Sequence, residues 1–246
     1  MLLLVFARMS GCILLNPILG RRNLPFPVKT GLALMLSFFT YPLIKDRTLE
    51  ITSPLLFGLC LLREIAVGFC VGFVIQLFMS IIVMGGEQMD IQIGISMSRI
   101  YDPQSNVSMP LSASVLNAMF LLLFFLTDSH LTLVEVFVKL GSAVPYGSGM
   151  IPAEVGAKLA GAFEQMLIYA AKISLPVIAV EMVSEIGIGL VTRAVPQIDI
   201  FTVEIQLKIL IGFAAIAILA PPFASWIERL IRLMFDCISE IYRLLL

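Results

Sequence analysis

The amino-acid sequence predicts an all-α, membrane-associated protein, and three observations support this fold class. First, 59% of the 246 residues are hydrophobic and 13% are charged, whereas a typical soluble domain is about half apolar and about one quarter charged. Second, the mean hydropathy is +1.02, and the apolar residues are collected in long runs. Third, the sequence lacks the alternating ten-residue segments that are typical of a membrane β-barrel.

The apolar runs predict the helices in order along the chain, with about six membrane spans. The runs lie at about 1–19, 30–44, 54–84, 111–127, 131–144, 159–192 and 205–227. Since a spanning helix needs about 20 mainly apolar residues, some runs are too short for an upright span and two are too long. Pro176 lies in the second long run, where a proline is expected to kink or divide a helix.

The first run, MLLLVFARMSGCILL, is predicted to be a retained helix rather than a secretory signal. A signal would have a basic head and a small-residue cleavage site, whereas Arg8 lies inside the apolar run. The next link carries Arg21, Arg22 and Lys29, and the tail after Trp226 carries Arg229, Arg232 and Arg243. Because Lys and Arg mark the cytoplasmic side, this bias predicts a cytoplasmic C-terminus, although one helix more or fewer would reverse the topology.

The last segment, WIERLIRLMFDCISEIYRLLL, is predicted to form an amphipathic helix, because its charged residues recur every three or four positions. This charged stripe consists of Glu228, Arg232, Asp236, Glu240 and Arg243. Two interpretations remain open. The helix packs on the rest of the protein or its partners, or it lies at the membrane surface.

Composition argues against several classes of function. The net charge of −1 argues against nucleic acid as a partner. The four cysteines form no CxxC pair and are expected to be buried apolar side chains, and His130 is the only histidine. The sequence also carries no nucleotide-binding loop and no nucleophile elbow. We therefore expect no metal, no cofactor and no enzymatic activity.

Ten ionisable residues fall within or beside the apolar runs. They are Arg63, Glu64, Glu87, Asp90, Glu164, Lys172, Glu181, Glu185, Glu204 and Lys208. A charge at the centre of a bilayer costs about 2.5–3.5 kcal/mol on insertion scales. Such side chains should therefore face other protein or a water-filled cavity.

Glu181 and Glu185 share one helical face, and Arg193 falls near it. The carboxylates belong either to a proton path or to a polar network that holds helices or subunits in register. The network is favoured because a proton path usually continues across the membrane, and these carboxylates are clustered in one segment. Lys208 follows Glu204 by four positions, which is the favourable order for an ion pair within a helix.

The segment from Gly85 to Pro110, GGEQMDIQIGISMSRIYDPQSNVSMP, interrupts the apolar pattern. Its residues alternate between apolar and polar from Met89 to Ser98, which favours an extended segment. The preceding helix could also continue through the paired glycines, so both conformations stay open. The segment is interpreted either as an ordinary external loop or as a plug whose apolar side chains seal a pore.

Four segments of the sequence, in the same order and over nearly the whole chain, resemble the FliR family of flagellar biosynthetic proteins. Arg8 is followed by NPILGRRNLPFPVKTGLALMLS. The segment GGEQMDIQIGISMSRIYDPQ carries the pattern GE…QxGxSxxxxxDP. LLLFFLTDSHL then ends in a small polar group and a histidine, and RAVPQIDIF, which starts at Arg193, has the pattern RxxPQxxxF.

The resemblance implies a core subunit of the type III protein export gate, built from helical hairpins that join a helical multi-subunit complex. It implies a FliP-like part over 1–150, with a plug loop at 93–109, and a FliQ-like hairpin part over 151–246. The implied partners are FliP, FliQ and FlhB type subunits, unfolded export substrates and membrane lipid. The implied location is the bacterial cytoplasmic (inner) membrane, at the flagellar basal body.

Two groups of candidate site residues follow from the resemblance and from the pattern of charges. The plug group consists of Ile93, Gly94, Ile95, Met97, Ile100, Tyr101 and Met109. The polar network or subunit-contact group consists of Glu87, Asp90, Gln92, Glu181, Glu185, Arg193 and Gln197. Met97 and Ile100 stand where some relatives have bulky aromatic residues. The sequence before Arg8 is shorter than is usual in the family, so we expect the first helix to lack a turn or more.

Two alternatives accompany this assignment. The injectisome relatives of the SctT/SpaR type have similar sequences, so a virulence export gate is the close alternative. An autonomous proton-coupled transporter is the alternative from another class, suggested by Glu181 and Glu185. Such carriers often contain internal repeats, and the sequence shows no convincing repeat.

Overall fold

The computed structural model describes residues 1–14, 16–20, 24–44, 53–96, 109–147, 151–194 and 200–245. This part of the chain contains eight α-helices, one short 3-10 turn (Tyr41–Leu43) and no strand, so the predicted all-α fold is confirmed. The helices are α1 (Leu2–Leu14), α2 (Phe26–Thr40), α3 (Pro54–Ile93), α4 (Leu111–Leu126), α5 (Ser129–Ala143), α6 (Ala153–Ala194), α7 (Ile200–Ile218) and α8 (Ala220–Leu245).

The helices form two compact units, each assembled from separate stretches of sequence. Unit 1 contains Met1–Met79, Phe124–Glu164 and Leu230–Leu246, and unit 2 contains Ser80–Leu123 and Gln165–Arg229. Four helices, α3, α4, α6 and α8, contribute residues to both units. The division into parts 1–150 and 151–246 follows sequence order and stays a prediction.

Unit 1 is built around a close crossing of α1 and α3. A Cβ atom on Gly68 of α3 would lie 2.8 Å from the backbone nitrogen of Cys12 and would overlap the carbonyl group of Arg8. Gly11 of α1 makes the reciprocal approach to the backbone of α3. The two backbones can touch because neither glycine carries a side chain, and α1 also packs on α2 and α5.

In unit 2, α3 makes a similar close contact with two other helices. A Cβ on Gly85 would lie 3.2 Å from the carbonyl oxygen of Ala170 in α6, and a Cβ on Gly86 would overlap the backbone of Ala113 in α4. These paired glycines lie within a continuous helix, where they allow neighbouring helices to approach.

Helix α3 continues through Ile93, which resolves the choice between an extended and a helical segment for residues 88–93. Met89 and Ile93 are four residues apart, and both are fully buried, whereas Ile91 is 62% exposed. The alternating pattern favoured an extended segment, and the helical alternative was left open. A helix can also bury Met89 and Ile93, because residues four positions apart lie on one helical face. A long helix that is already formed extends at little cost.

Pro176 does not divide α6, which is a single helix from Ala153 to Ala194. By length and composition, α3 and α6 each qualify as a candidate membrane span. The bent pairs α4 with α5 and α7 with α8 also qualify if each pair is counted as one span. The described helices therefore support two to four spans, fewer than the six expected. Part of the difference arises because α1 and α2 have 13 and 15 residues, fewer than a spanning helix needs.

Helix α8 is amphipathic, as predicted, and its apolar stripe is buried within the protein. The buried stripe within unit 1 consists of Leu230, Ile231, Met234, Ile238 and Ile241. On the opposite face, Glu240 forms an ion pair with Lys158 of α6. The ring of Phe235 stacks at a centroid distance of 6.5 Å from Phe124 of α4. These contacts support the interpretation in which the tail packs on the rest of the protein.

Candidate functional site

Arg8 lies at the centre of unit 1, fully buried, with five polar contacts to its guanidinium group. Its Nε donates to Glu64 Oε2 over 2.7 Å, and its Nη2 lies 2.6 Å from the same oxygen. Its Nη1 donates to the carbonyl oxygens of Leu140 and Val144, each over 2.8 Å, and its Nη2 also donates to that of Pro145 over 3.2 Å. A buried charge is tolerated only when it is paired and hydrogen-bonded in this way.

The groups around this ion pair are themselves held in place. The second carboxylate oxygen of Glu64, Oε1, accepts a hydrogen bond from the backbone nitrogen of Gly147 over 3.1 Å. The ring of Tyr146 lies 3.7 Å from the Arg8 guanidinium carbon, and its hydroxyl donates to the carbonyl oxygen of Gly141 over 2.5 Å. Burial raises the pKa of the Tyr146 hydroxyl to about 12, so the phenol stays neutral beside the cation.

The ion pair joins three helices of unit 1 at one point. Arg8 comes from α1 and Glu64 from α3, and the carbonyl groups that Arg8 caps lie at the C-terminal end of α5. A cation at this end interacts favourably with the helix dipole and with carbonyls that lack a partner inside the helix. Both charges were noted in the sequence, but not as a pair. The position of Arg8 inside an apolar run could have indicated the pair, because a buried arginine needs an acidic partner.

Asp90 lies in unit 2 near the end of α3 and is 1% exposed. Its Oδ2 accepts a hydrogen bond from the backbone nitrogen of Leu111 over 2.6 Å, and its Oδ1 accepts from the backbone nitrogen of Ser112 over 3.1 Å. The Ser112 hydroxyl also donates to Oδ1. The backbone oxygen of Asp90 accepts from Gly94 N over 3.1 Å and from Ser96 N over 3.4 Å. One residue therefore contacts the end of α3 and the start of α4.

The end of α3 is defined by Ile93 and Gly94. Gly94 has φ +90, a left-handed conformation that glycine adopts without strain. Its bond to the Asp90 carbonyl is a common way to end a helix. The Ile93 side chain is fully buried and packs against Gly212 of α7. A Cβ atom on Gly212 would lie 2.6–2.8 Å from three side-chain carbon atoms of Ile93. Ile93 is therefore the last residue of α3 in the structure, and Gly94 is the first residue beyond it.

The structure describes only the ends of the predicted plug loop. Within the segment 93–109 the described residues are 93–96 and 109, and both Ile95 and Met109 are half-buried. Four predicted site residues lie outside the described part of the chain: Met97, Ile100, Tyr101 and Gln197. The plug assignment therefore stays a prediction, anchored on either side by described residues.

The second group of predicted residues is spread over different environments. Glu87 is exposed, Gln92 is half-buried, and Arg193 is exposed at the end of α6. Between Glu87 and Asp90, Gln88 accepts a hydrogen bond through its Oε1 from the Ser174 hydroxyl over 2.6 Å. This contact links α3 to α6 within unit 2. Gln88 was missed in the sequence, where only charged residues and the family pattern drew attention.

Glu181 and Glu185 lie in a cluster with residues of α7, also in unit 2. Lys208 Nζ lies 3.0 Å from Glu185 Oε1 and 3.3 Å from Glu204 Oε1, so the predicted Glu204–Lys208 pair is confirmed. Glu181 is fully buried, and the Ser184 hydroxyl lies 3.4 Å from its Oε2. Its Oε1 is buried without a hydrogen-bond partner in the described part of the chain. The cluster ties α6 to α7 through one shared lysine.

The fold and these polar clusters define a membrane-associated, all-helical protein in which buried charges join helices. Residues 1–234 match the family described as bacterial export proteins, family 1, and the chain belongs to this family. The resemblance on which the sequence analysis relied is thereby confirmed at the level of the family.

Individual relatives agree with this assignment. The chain is similar to the flagellar biosynthetic protein FliR of Escherichia coli (strain K12), with 28% identity over 95% of this chain and 89% of the relative. It is 29% identical to the FliR protein of Bacillus subtilis (strain 168), over 86% of this chain and 82% of the relative. It is 22% identical to the Yop proteins translocation protein T of Yersinia pestis, over 96% of this chain and 92% of the relative.

Proposed function

We propose that this protein is a core subunit of the flagellar type III protein export gate. In this role it forms part of the channel that passes unfolded flagellar proteins across the cytoplasmic membrane. The observation that carries the proposal is the family match over nearly the whole chain, together with the relatives named flagellar biosynthetic protein FliR. The proposed role is that of a conduit subunit and not of an enzyme.

The proposed partners are FliP, FliQ and FlhB type subunits, in the bacterial inner membrane at the flagellar basal body. The observation that supports partners is the apolar surface of α6 in unit 2. This surface includes Leu175, Met182, Val183, Ile186 and Leu190, each more than half exposed. Contiguous apolar side chains of this kind need lipid or another protein to cover them. The proposed arrangement has a FliP-like part at 1–150 and a FliQ-like part at 151–246.

The proposed plug is the part of the predicted segment 93–109 that follows the end of α3 at Ile93, and its apolar side chains would close the channel to small ions. Support comes from the contacts of Asp90 and Ile93 at the borders of the segment. Further support comes from the apolar side chains within its sequence, such as Ile95, Met97 and Ile100. A hydrophobic constriction blocks ions because water is unstable in it. We expect a complex that carries a deletion of 95–109 to conduct ions continuously after reconstitution in a planar bilayer. Conductance equal to that of the intact complex would remove the plug from the proposal.

The decisive experiment for the proposed function is co-expression with candidate FliP and FliQ partners, followed by isolation through a tag on this chain. A stoichiometric complex of all three proteins is the expected result. Recovery of this chain alone, although it is folded and present in the membrane, would contradict the gate assignment.

The virulence injectisome is the second candidate system, because the Yersinia relative also spans nearly the whole chain. The same experiment separates the two systems if flagellar and injectisome partners are offered together. We expect the flagellar partners to be recovered. Preferential recovery of the injectisome partners would change the assignment of the system but would leave the export-gate role in place.

An autonomous proton-coupled transporter is the candidate from another class, and Glu181 is the observation that suggests it. A buried carboxylate with one oxygen free of hydrogen bonds in the described part of the chain is a possible proton carrier. The test is proton-driven uptake of solutes by liposomes that contain this chain alone. The export-gate proposal predicts no uptake above that of empty liposomes.

A further inference from the structure

The carboxylate of Asp90 supplies a helix cap that the adjoining sequence does not. The first backbone N–H groups of a helix have no partner within it and are usually satisfied by a nearby Ser, Thr, Asp or Asn. Met109 and Pro110, which directly precede α4, have no side-chain oxygen. Asp90, 21 residues before Leu111, caps α4 from the neighbouring helix, with one carboxylate oxygen on Leu111 N and the other on Ser112 N.

The close packing of α3 and α4 makes this reach possible. Gly86 is one helical turn before Asp90, and its lack of a side chain lets the backbone of Ala113 approach α3. An aspartate side chain is short, so it can cap another helix only where the two backbones nearly touch. The contact of Ala113 with Gly86 and the cap on Ser112 are therefore parts of one packing arrangement.

The opposite end of the segment is held at the same place. Gly94 N and Ser96 N both donate to the backbone oxygen of Asp90. Ile93 fixes the end of α3 further, because its side chain fills the space left by the missing side chain of Gly212. Asp90 is thus hydrogen-bonded both to Gly94, just after the end of α3, and to Leu111, at the start of α4.

We propose that Asp90 is a positioning residue that fixes both ends of the segment 94–110 at one point in unit 2. Its backbone oxygen holds the start of the segment and its carboxylate holds the end. Bringing the ends of a loop together costs conformational entropy, and the bonds to Asp90 offset that cost. The inference deepens the proposed function, because it names the residue that locates the proposed plug.

The first test is hydrogen–deuterium exchange of the full-length protein in detergent, comparing wild type with Asp90→Ala. The variant removes the carboxylate and keeps the backbone oxygen. We therefore expect exchange about tenfold faster at the amides of Leu111 and Ser112, with Gly94 nearly unchanged. Ile91→Ala is the matched control, because Ile91 is the next residue of α3 and its side chain is exposed. It should leave Leu111 and Ser112 unchanged.

Two conservative variants keep the inference falsifiable if Asp90→Ala folds poorly. Asp90→Asn retains one acceptor oxygen, and Ser112→Ala removes only the hydroxyl bond. Each should accelerate exchange at the start of α4 by less than Asp90→Ala does, about threefold. Unchanged exchange at Leu111 and Ser112 in well-folded Asp90→Asn would overturn the inference. Equal acceleration throughout α3 would also overturn it, because the effect would then be general destabilisation.

The second test separates this inference from the proposed function by measuring ion conductance of the reconstituted complex with Asp90→Asn. Faster exchange at Leu111 together with increased ion leakage supports both the anchor and the plug. Faster exchange without leakage supports the anchor and contradicts the plug. Leakage with unchanged exchange contradicts the anchor and supports the plug.

Discussion

At the scale of single residues, the contacts of Arg8 explain how an arginine is accommodated in an apolar helix. Its N–H groups reach one carboxylate and three carbonyl oxygens, and an aromatic ring covers its face. Arginine suits this position better than lysine because its planar guanidinium can contact several acceptors at once. The stability of the pair depends on both partners, since either charge alone would be buried without compensation.

The variant Glu64→Gln should strongly destabilise unit 1. It leaves the guanidinium of Arg8 buried without a counter-charge, which costs about 3–5 kcal/mol. Thermal unfolding of the purified protein, followed by loss of the monodisperse peak in size-exclusion chromatography, measures the effect. Glu135→Gln is the matched control, because its ion pair with Lys139 is solvent-exposed. Equal losses from both variants would contradict a central role for the Arg8–Glu64 pair.

The double variant Glu181→Gln with Glu185→Gln should impair assembly more than transport. Glu185 shares Lys208 with Glu204, so its loss weakens the link between α6 and α7. We expect a lower yield of the complex with FliP and FliQ type partners and near-normal export per assembled complex. A normal yield with abolished export would favour a proton path instead. Glu164→Gln, at an exposed position of the same helix, is the control for the general effects of losing a carboxylate.

At the scale of elements, glycines set the distances between helices. Gly11 and Gly68 bring α1 onto α3, and Gly86 brings α4 onto α3. Two of the polar clusters lie beside such crossings. Arg8 and Glu64 flank the first crossing, and Asp90 is one turn from the second. A short distance between backbones is needed before polar side chains of neighbouring helices can reach each other or a helix terminus.

The variant Gly68→Ala should therefore destabilise the protein, although alanine is the better helix former. A Cβ at Gly68 would overlap the backbone of α1, which cannot move aside as a flexible side chain could. Gly58→Ala is the matched control in the same helix, because the space around Gly58 is open. It should raise stability by up to about 1 kcal/mol through helix propensity. Thermal unfolding of the two variants side by side measures the difference, and a stabilised Gly68→Ala would contradict the close crossing.

At the scale of the whole molecule, the exposed surface is too apolar for water. Exposed large side chains recur along α2, α3 and α6, including Phe38, Phe39, Leu62 and Val183. Helix α3 is 40 residues long, or about 60 Å at 1.5 Å per residue. It is therefore about twice as long as the hydrocarbon core is thick. One part of α3 is therefore long enough to cross a bilayer while the remainder extends beyond the hydrocarbon core.

The protein should resist extraction of membranes with alkaline carbonate. The segment from Ile65 to Met84 in α3 carries no charged residue, and it should stay inserted. Phe69→Arg places a charge on an exposed position of this segment, at a cost of up to about 2.5–3.5 kcal/mol at the bilayer centre. We expect less of that variant in the carbonate-resistant pellet than of Phe69→Leu, the apolar control. Full extraction of the wild-type chain would contradict membrane insertion.

Composition and periodicity were sufficient to predict the all-α fold, the amphipathic α8 and the Glu204–Lys208 pair. These features depend on residues close in sequence, whose geometry is set by the repeat of the helix itself. The order of motifs along the chain was sufficient for the family. Local patterns were less reliable where an extended and a helical conformation can bury the same residues, as at Met89 and Ile93. They were also less reliable at Pro176, which lies inside the single helix α6.

Only the tertiary structure decided which polar groups meet. Arg8 and Glu64 are 56 residues apart, and Asp90 reaches α4 across 21 residues. The sequence shows that each buried charge needs a partner, because an isolated charge is unstable away from water. It does not show which partner, since that depends on which helices cross and how closely. Glycines at the helix crossings determine how closely the helices approach. They allow Arg8 to reach Glu64 and Asp90 to reach the start of α4.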